Sequence, residues 1–134
     1  MIIVDTNVWS VQFRRHPDQR VVDWLIAHDR DLWLSAIVIA EIRYGAELPK
    51  ASAMRLRLVR WLDILETTYA DRILPFESDA AHVFGALRAH RPETSTLLDL
   101  QIAAQAIAHD CAVATRNVKD FAWTGVRLIN PWGD

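Results

Sequence analysis

The chain opens with Met1-Ile2-Ile3-Val4-Asp5-Thr6-Asn7, an apolar β-branched run that ends in an acid, a hydroxyl and an amide. Ile2 to Val4 predicts a short buried strand, because β-branched residues favour strands and no polar residue interrupts the run. Asp5-Thr6-Asn7 is typical of a turn and of a helix N-cap. The opening therefore predicts a strand that leads directly into a helix, with a carboxylate at the junction.

The rest of the chain alternates short apolar runs with longer segments of helical periodicity. Strands are predicted at 32–34, 72–76, 111–115 and 126–129. Helices are predicted at 8–13, 18–28, 36–47, 51–67, 78–90 and 97–109, with 117–121 as a turn or a single helical turn. Parallel neighbouring strands need crossover connections, which place helices on both faces of a sheet. The expected fold class is α/β, with an α/β/α sandwich around a central, mainly parallel sheet.

Length and composition favour one domain over residues 1–134. Of the 134 residues, 51% are hydrophobic, which is enough for a substantial core. No apolar run approaches the roughly 18 residues that span a bilayer, and Met1-Ile2-Ile3-Val4 has no basic leader, so we expect a cytoplasmic protein without a membrane contact. The single cysteine, Cys111, is expected to be a small core residue at the start of a strand.

The formal net charge is −2, unlike the strongly basic balance of a general nucleic-acid binder. If several acids surround a divalent cation, however, a polyanion meets a more positive field than this count implies. Net charge therefore does not exclude an RNA substrate.

Three polar residues follow predicted strands at the edge where ligands bind in parallel sheets. Asp5 follows the first strand, and Asn117 and Asp120 follow the strand near 112–114. Each has a structural alternative, since aspartate and asparagine are common as helix caps and in turns.

Glu41 shares a predicted helix face with apolar residues, namely Ile37, Val38, Tyr44, Gly45 and Leu48. An ionised carboxylate inside an apolar stripe is destabilising by several kcal/mol unless a cation or hydrogen-bond donors receive it. A metal-facing role and a buried arginine partner both satisfy this requirement.

Asp99 lies three residues after Thr96, so one interpretation is the acidic member of a capping box. The other is that the small apolar face formed by Ile102, Ala103 and Ala106 packs onto the sheet and directs Asp99 at the strand ends. Clustered carboxylates suit Mg²⁺ and Mn²⁺, which prefer oxygen ligands, and the waters that Mg²⁺ retains are suited to phosphodiester hydrolysis.

Five segments, in this order and at this spacing, resemble the PIN-domain ribonucleases, in particular the VapC toxins of toxin–antitoxin pairs. They are Ile3-Val4-Asp5-Thr6-Asn7, Ala40-Glu41-Ile42-Arg43-Tyr44-Gly45, Asp99-Leu100-Gln101-Ile102-Ala103-Ala104, Ala114-Thr115-Arg116-Asn117-Val118-Lys119-Asp120-Phe121, and Gly125 through Asn130-Pro131-Trp132. The resemblance implies a PIN domain over residues 1–134, Mg²⁺-dependent endoribonuclease activity with Mn²⁺ as a substitute, an RNA substrate, and inhibition by a cognate VapB-type antitoxin.

The resemblance also implies roles for individual residues. Asp5 and Asp99 are similar to the main metal ligands of the family, and Glu41 and Asp120 to acids that hold the metal's waters or a second ion. Thr6 and Thr115 are similar to supporting hydroxyls.

Asn117 departs from the family pattern, because some PIN domains have an acid two residues after the strand-end threonine. Either Asp120 supplies the fourth acid instead, or the site holds a single metal.

The toxin resemblance also predicts a surface for the antitoxin. We expect an amphipathic antitoxin helix on the apolar faces of the helices from Asp18 to His28 and from Ala36 to Glu47. The same apolar area favours a homodimer, with a heterotetramer or larger assembly once antitoxin is bound.

Two other functions share part of this sequence pattern. A phosphoacceptor receiver domain has a similar length and class, but it needs an adjacent acid pair after the first strand and a late strand-end lysine, and neither is evident. A degenerate PIN domain that only binds RNA or antitoxin would have little reason to keep four acids. A metal-dependent cleavage assay distinguishes this last alternative from an active nuclease.

Overall fold

Five parallel strands form one sheet in the computed structural model, which describes residues 1–133. The strands are β1 (Ile2–Val4), β2 (Leu32–Ser35), β3 (Ile73–Leu74), β4 (Ala112–Ala114) and β5 (Leu128–Ile129). Their order across the sheet is β3-β2-β1-β4-β5, and every neighbouring pair is parallel. The predicted sheet is confirmed, and all of its strands are parallel.

Helices connect the strands throughout the described chain. They are α1 (Thr6–Trp9), α2 (Gln19–Ala27), α3 (Ala36–Glu47), α4 (Arg55–Thr68), α5 (Ser78–Ala89), α6 (Leu97–Ala108) and α7 (Val118–Phe121). The predicted helix at 8–13 is α1 followed by a 3₁₀ turn at Ser10–Phe13. Helix α4 begins later than predicted, because Pro49–Ala51 forms a separate 3₁₀ turn in which proline occupies the first position.

Helices cover both faces of the sheet. Ile3 and Val4 are adjacent in β1, so their side chains point to opposite faces, yet neither is exposed. Leu34 in β2 and Val113 in β4 are equally inaccessible. Strands buried on both faces are what an all-parallel sheet requires, and they confirm the α/β/α sandwich.

Three of the helices that border the carboxyl edge of the sheet begin directly at polar residues that cap them. The Asp5 carboxylate accepts the Thr6 N–H at the start of α1, and the Ser35 hydroxyl accepts the Ile37 N–H at the start of α3. The Thr96 hydroxyl caps α6. The caps Asp5 and Ser35 stand at the ends of β1 and β2, so each starts the following helix at the carboxyl edge of the sheet.

The strand order reverses between β1 and β4, since the chain builds β2 and β3 on one side of β1 and then crosses to β4 on the other. The Asp5 N–H donates to the Ala114 carbonyl at 2.9 Å, so the ends of these two strands are in contact. Ligands of open α/β sheets bind in the crevice at such a reversal. Topology therefore places a binding crevice beside Asp5.

A buried polar network fixes α6 against the sheet. The Gln105 amide donates to the carbonyl oxygens of Leu74 at 3.2 Å and Pro75 at 3.1 Å, and its carbonyl oxygen accepts the Ser35 hydroxyl. Gln105 and Ser35 are both fully buried. The network joins α6 to the carboxyl ends of β2 and β3, and Asp99 lies six residues earlier on that helix.

The apolar positions of α4 include both buried and exposed residues, which the sequence pattern did not distinguish. Leu62 and Leu65 of α4 face the core, whereas Leu56 and Ile64 of the same helix are 61% and 63% exposed. Cys111 is buried as predicted, and burial raises the pKa of its thiol. Within residues 1–133, no helix has the length and apolar character needed to cross a bilayer.

Candidate active site

The four predicted acids line one cleft of about 390 Å³ at the carboxyl edge of the sheet. Asp5 stands at the end of β1, Glu41 in α3, Asp99 in the first turn of α6, and Asp120 in α7. The remaining lining residues are Thr6, Asn7, Thr96, Leu98 and Asn117. Four separate elements thus bring carboxylates together in a polar cleft.

Asp5 is the most buried of these acids, with 4% of the residue exposed. One carboxylate oxygen accepts the Thr6 N–H at 2.8 Å. The other accepts the Thr115 hydroxyl at 2.8 Å and the Asn7 side-chain amide at 3.2 Å. These donors, which come from both sides of the β1–β4 junction, fix the direction in which the carboxylate faces the cleft.

The pKa of Asp5 is raised from 3.8 to about 6. Burial is the largest cause, and the negative charges of Asp99 and Glu41 add to it. Hydrogen bonds from Thr115 and Thr6 stabilise the ionised form and oppose the rise. Asp99 and Glu41 are therefore close enough to Asp5 for their negative charges to disfavour its ionised form.

Asp99 follows a Thr96 cap, and its side chain lies at the cleft, as the second interpretation of the sequence expects. The Thr96 hydroxyl accepts the Asp99 N–H at 3.1 Å, so Thr96 is the helix cap, while the Asp99 side chain borders the cleft. Burial raises the pKa of Asp99, and the charges of Asp120 and Glu41 raise it further.

The helix face below Asp99 packs as predicted. Ile102, Ala103 and Ala106 are all inaccessible, and α6 contacts both β1 and β4. Small side chains allow the helix to approach the sheet closely, which brings its first turn to the strand ends.

Glu41 reaches the cleft, but it does not lie inside an apolar stripe. The buried face of α3 carries Val38, Ile42 and Ala46, while Glu41 is half-buried and Tyr44 is 66% exposed. The predicted stripe was wrong because α3 has apolar residues on most of its sides, so periodicity alone does not identify the side that faces the core.

Asp120 and Asn117 both border the cleft. The Asn117 N–H donates to the Thr115 hydroxyl oxygen at 3.0 Å, and the Ser95 hydroxyl donates to the Asp120 carbonyl at 3.1 Å. Both residues are therefore neighbours at the site, and either side chain can complete it.

Asn7 is a site residue that the sequence analysis treated only as part of a turn. Its amide donates to the Asp5 carboxylate and approaches the Thr115 hydroxyl at 3.4 Å, and its carbonyl oxygen accepts the Arg116 N–H at 3.2 Å. Asn7 thereby bridges the ends of β1 and β4. Its place two residues after the strand-end acid was the signal available in the sequence.

The chemistry of these residues fits a hard divalent cation. All of the polar side chains around the acids offer oxygen, and the buried Thr6 hydroxyl has no hydrogen-bond partner among residues 1–133. The described residues contain no cage in which three or more histidine, cysteine or acidic side chains already converge as metal ligands. A looser set is compatible with Mg²⁺, which takes one or two carboxylates and keeps several waters.

The chain was compared with known proteins. Residues 2–124 match the PIN domain family. The chain is 36% identical to VapC ribonuclease Y4jK of Sinorhizobium fredii (strain NBRC 101917 / NGR234), with 98% of each chain covered. FitAcB from Neisseria gonorrhoeae has a similar crystal structure, with a TM-score of 0.86, 35% identity, and coverage of 98% of this chain and 99% of that one. A toxin-antitoxin complex from Klebsiella pneumoniae gives a TM-score of 0.72 and 27% identity, with both chains fully covered.

Proposed function

Because this chain belongs to the PIN domain family as a VapC-type member, we propose that it is a metal-dependent endoribonuclease, the toxic component of a type II toxin–antitoxin system. The observation that carries the proposal is the meeting of four carboxylates from four elements in one cleft. Hydrolysis of an RNA phosphodiester bond requires an activated water and neutralisation of the phosphate charge, and carboxylate-bound cations are suited to both.

The proposed cofactor is Mg²⁺, with Mn²⁺ as a substitute, held by Asp5 and Asp99. When bound, such an ion lowers the pKa of a water and neutralises negative charge on the phosphate. Thr115, Asn7 and the Thr6 amide keep the Asp5 carboxylate in one orientation. Glu41 and Asp120 border the same cleft, where they would hold the waters of the bound metal by hydrogen bonds, and one of them would accept the proton that the attacking water loses.

Cleavage of RNA by the purified chain tests this function. Labelled single-stranded RNA should be cut with Mg²⁺ and left intact with EDTA, and the Asp5→Asn variant should be inactive. Asp110→Asn is the matched control, since Asp110 lies just before β4 at the opposite edge of the sheet and its side chain is fully exposed. Equal cleavage with EDTA and with Mg²⁺ would refute the proposal. Sequencing RNA ends after brief induction then identifies the substrate.

We further propose that a VapB-type antitoxin inhibits the enzyme in the cytoplasm, where an uncontrolled ribonuclease would damage its host. Apolar side chains suited to such a partner stand on two of the predicted helices: Ile26 of α2 is 68% exposed and Tyr44 of α3 is 66% exposed. An amphipathic helix laid on these faces would bury an interface on the order of 1,600 Å².

Expression in a bacterial host tests the toxin assignment. The wild-type chain alone should arrest growth, the Asp5→Ala variant should not, and the neighbouring small open reading frame should restore growth by forming an isolable complex. Harmless expression of an active, folded enzyme would contradict the toxin role and leave the ribonuclease role intact.

A further inference from the structure

The acid cleft adjoins a second cleft that is lined partly by cations. This neighbouring cleft has a volume of about 370 Å³ and is lined by Arg116, Asn117, Val118, Lys119, Asp120 and Asn130. Asn117 and Asp120 border both clefts. A chain-like ligand whose reacting group lies at the acids therefore has Arg116 and Lys119 close to its neighbouring groups.

The Arg116 side chain is supported in place. Its guanidinium lies over the Trp132 ring, 4.9 Å from the centroid, and the Trp132 backbone N–H donates to the Asn130 side-chain oxygen at 3.0 Å. The Arg116 backbone N–H donates to Asn7, which itself donates to the Asp5 carboxylate. A guanidinium stacked on an aromatic face keeps its N–H donors at the edge, where they can bind a planar or tetrahedral anion.

These two cations have no carboxylate partner within residues 1–133. The ion pairs of the described chain involve Arg20, Arg43, Arg72 and Arg127, and neither Arg116 nor Lys119 takes part in one. Arg20, the direct ion-pair partner of Asp18 at 2.9 Å, is the main cause of the lowered pKa of Asp18, and the charge of Arg116 adds to it. Arg116 and Lys119 are therefore available to a ligand.

Phosphate groups of RNA need such cations here because the adjacent acids repel them. Positive side chains along a groove are the usual means of tracking a single-stranded backbone, and aromatic rings add sequence-tolerant contacts. We propose that Arg116 and Lys119 form a phosphate-binding subsite that holds single-stranded RNA next to the acid cleft. This inference rests on the ribonuclease function proposed above.

Cleavage kinetics of the Arg116→Gln and Lys119→Gln variants test the subsite. Each variant should raise KM by about tenfold with kcat nearly unchanged, the loss expected for one hydrogen bond to a charged group. The slope of log KM against log salt concentration should fall by about 0.7 for each phosphate contact removed. Arg116→Lys should keep the salt slope, because it keeps the charge.

Arg127→Gln is the matched control, since it removes one exposed arginine charge just before β5, at the edge of the sheet away from the acids. It should leave KM and the salt slope unchanged. A loss of RNA affinity in this control equal to that in Arg116→Gln would overturn the subsite, because it would show a dependence on net charge alone.

A binding measurement separates failure of the subsite from failure of the enzyme assignment. Fluorescence anisotropy of labelled single-stranded RNA is recorded with Asp5→Asn, alone and combined with Arg116→Gln. Weaker binding by the combined variant supports the subsite even if the wild-type chain does not cleave RNA. Unchanged RNA binding overturns it, and unchanged RNA binding with weaker antitoxin binding would assign this surface to the protein partner.

Discussion

Asp5 is the most buried acid of the cleft, and burial destabilises its ionised form. Its pKa of about 6, against 3.8 for an ordinary aspartate, corresponds to a destabilisation of about 3 kcal/mol when the group is ionised at neutral pH. The folded chain keeps this proton at pH values where the unfolded chain has lost it. The stabilisation present below pH 4 is therefore lost as pH rises through about 6, and the deficit persists at pH 7.

A thermal-unfolding series tests whether the ionised Asp5 carboxylate destabilises the fold. At pH 7 with EDTA, Asp5→Asn should unfold at a higher temperature than the wild type, and the difference should disappear towards pH 4. Mg²⁺ at 100 times its dissociation constant should stabilise the wild type by about 3 kcal/mol and have little effect on the variant. Equal wild-type midpoints with EDTA and with Mg²⁺ would count against a preformed anionic metal site.

The sequence predicts which acidic side chains meet at the site, but not every residue that packs against them or bonds to them. Asp5, Asp99 and Asp120 could be placed because each follows a strand or starts a helix at the binding edge. The environment of Glu41 could not, because α3 is apolar on most sides. Asn7 was missed because its contacts with Thr115 and Arg116 depend on which strand lies beside β1.

Helix α6 depends on Gln105 for its position. Gln105→Leu removes two hydrogen bonds to the carbonyls of Leu74 and Pro75 and leaves the buried Ser35 hydroxyl without its acceptor. We expect a loss of about 3 kcal/mol in the free energy of unfolding, measured by urea denaturation, since unsatisfied buried polar groups are destabilising. The apparent affinity for Mg²⁺ should also fall, because α6 carries Asp99.

Gln101→Leu is the control for this prediction. Gln101 is half-buried on the same helix and makes no side-chain hydrogen bond within the described residues. A similar loss of stability in both variants would show that a change in helix propensity or hydration, rather than the buried network, explains the effect.

The order and type of the elements were predictable because each has strong local signals. Ser35 and Thr96 marked helix starts that the structure confirms. The start of α4 was misplaced by four residues, because Pro49 begins a 3₁₀ turn whose residues favour a helix equally well. The strand predicted at 72–76 is only Ile73–Leu74, since its pairing with β2 ends there.

For the whole molecule, strand direction was predictable and strand order was not. Helical crossovers imply parallel neighbours, but the sequence contains no local signal that β4 crosses to the far side of β1. That crossing creates the Asp5–Thr115 contact at 2.8 Å and hence the site. One continuous core, which includes Val8, Val38 and Phe121, supports a single domain, although Asp134 lies outside the described residues.

The homodimer is predicted from the apolar faces of α2 and α3, and the structure adds a second candidate surface between α5 and α6. An apolar groove of about 470 Å³ is lined by Val83, Ala86, Leu87, His90, Ile107 and Trp123. If a second copy covers it, Ala86→Glu should convert a dimer to a monomer in analytical ultracentrifugation, because a buried unpaired charge opposes association. Ala81→Glu, on the same helix outside the groove, should stay dimeric. A wild-type chain that remains monomeric would exclude the dimer.

We propose that carboxylates in this cleft hold the metal with which the chain cleaves RNA. The most direct test is the initial rate of RNA cleavage against Mg²⁺ concentration for the wild type, Asp99→Asn and the control Asp110→Asn. At saturating Mg²⁺, Asp99→Asn should be slower by at least about 100-fold, because even the loss of an outer-shell partner of a metal ligand costs up to about 100-fold, while Asp110→Asn matches the wild type. Near-normal turnover by Asp99→Asn would contradict the account.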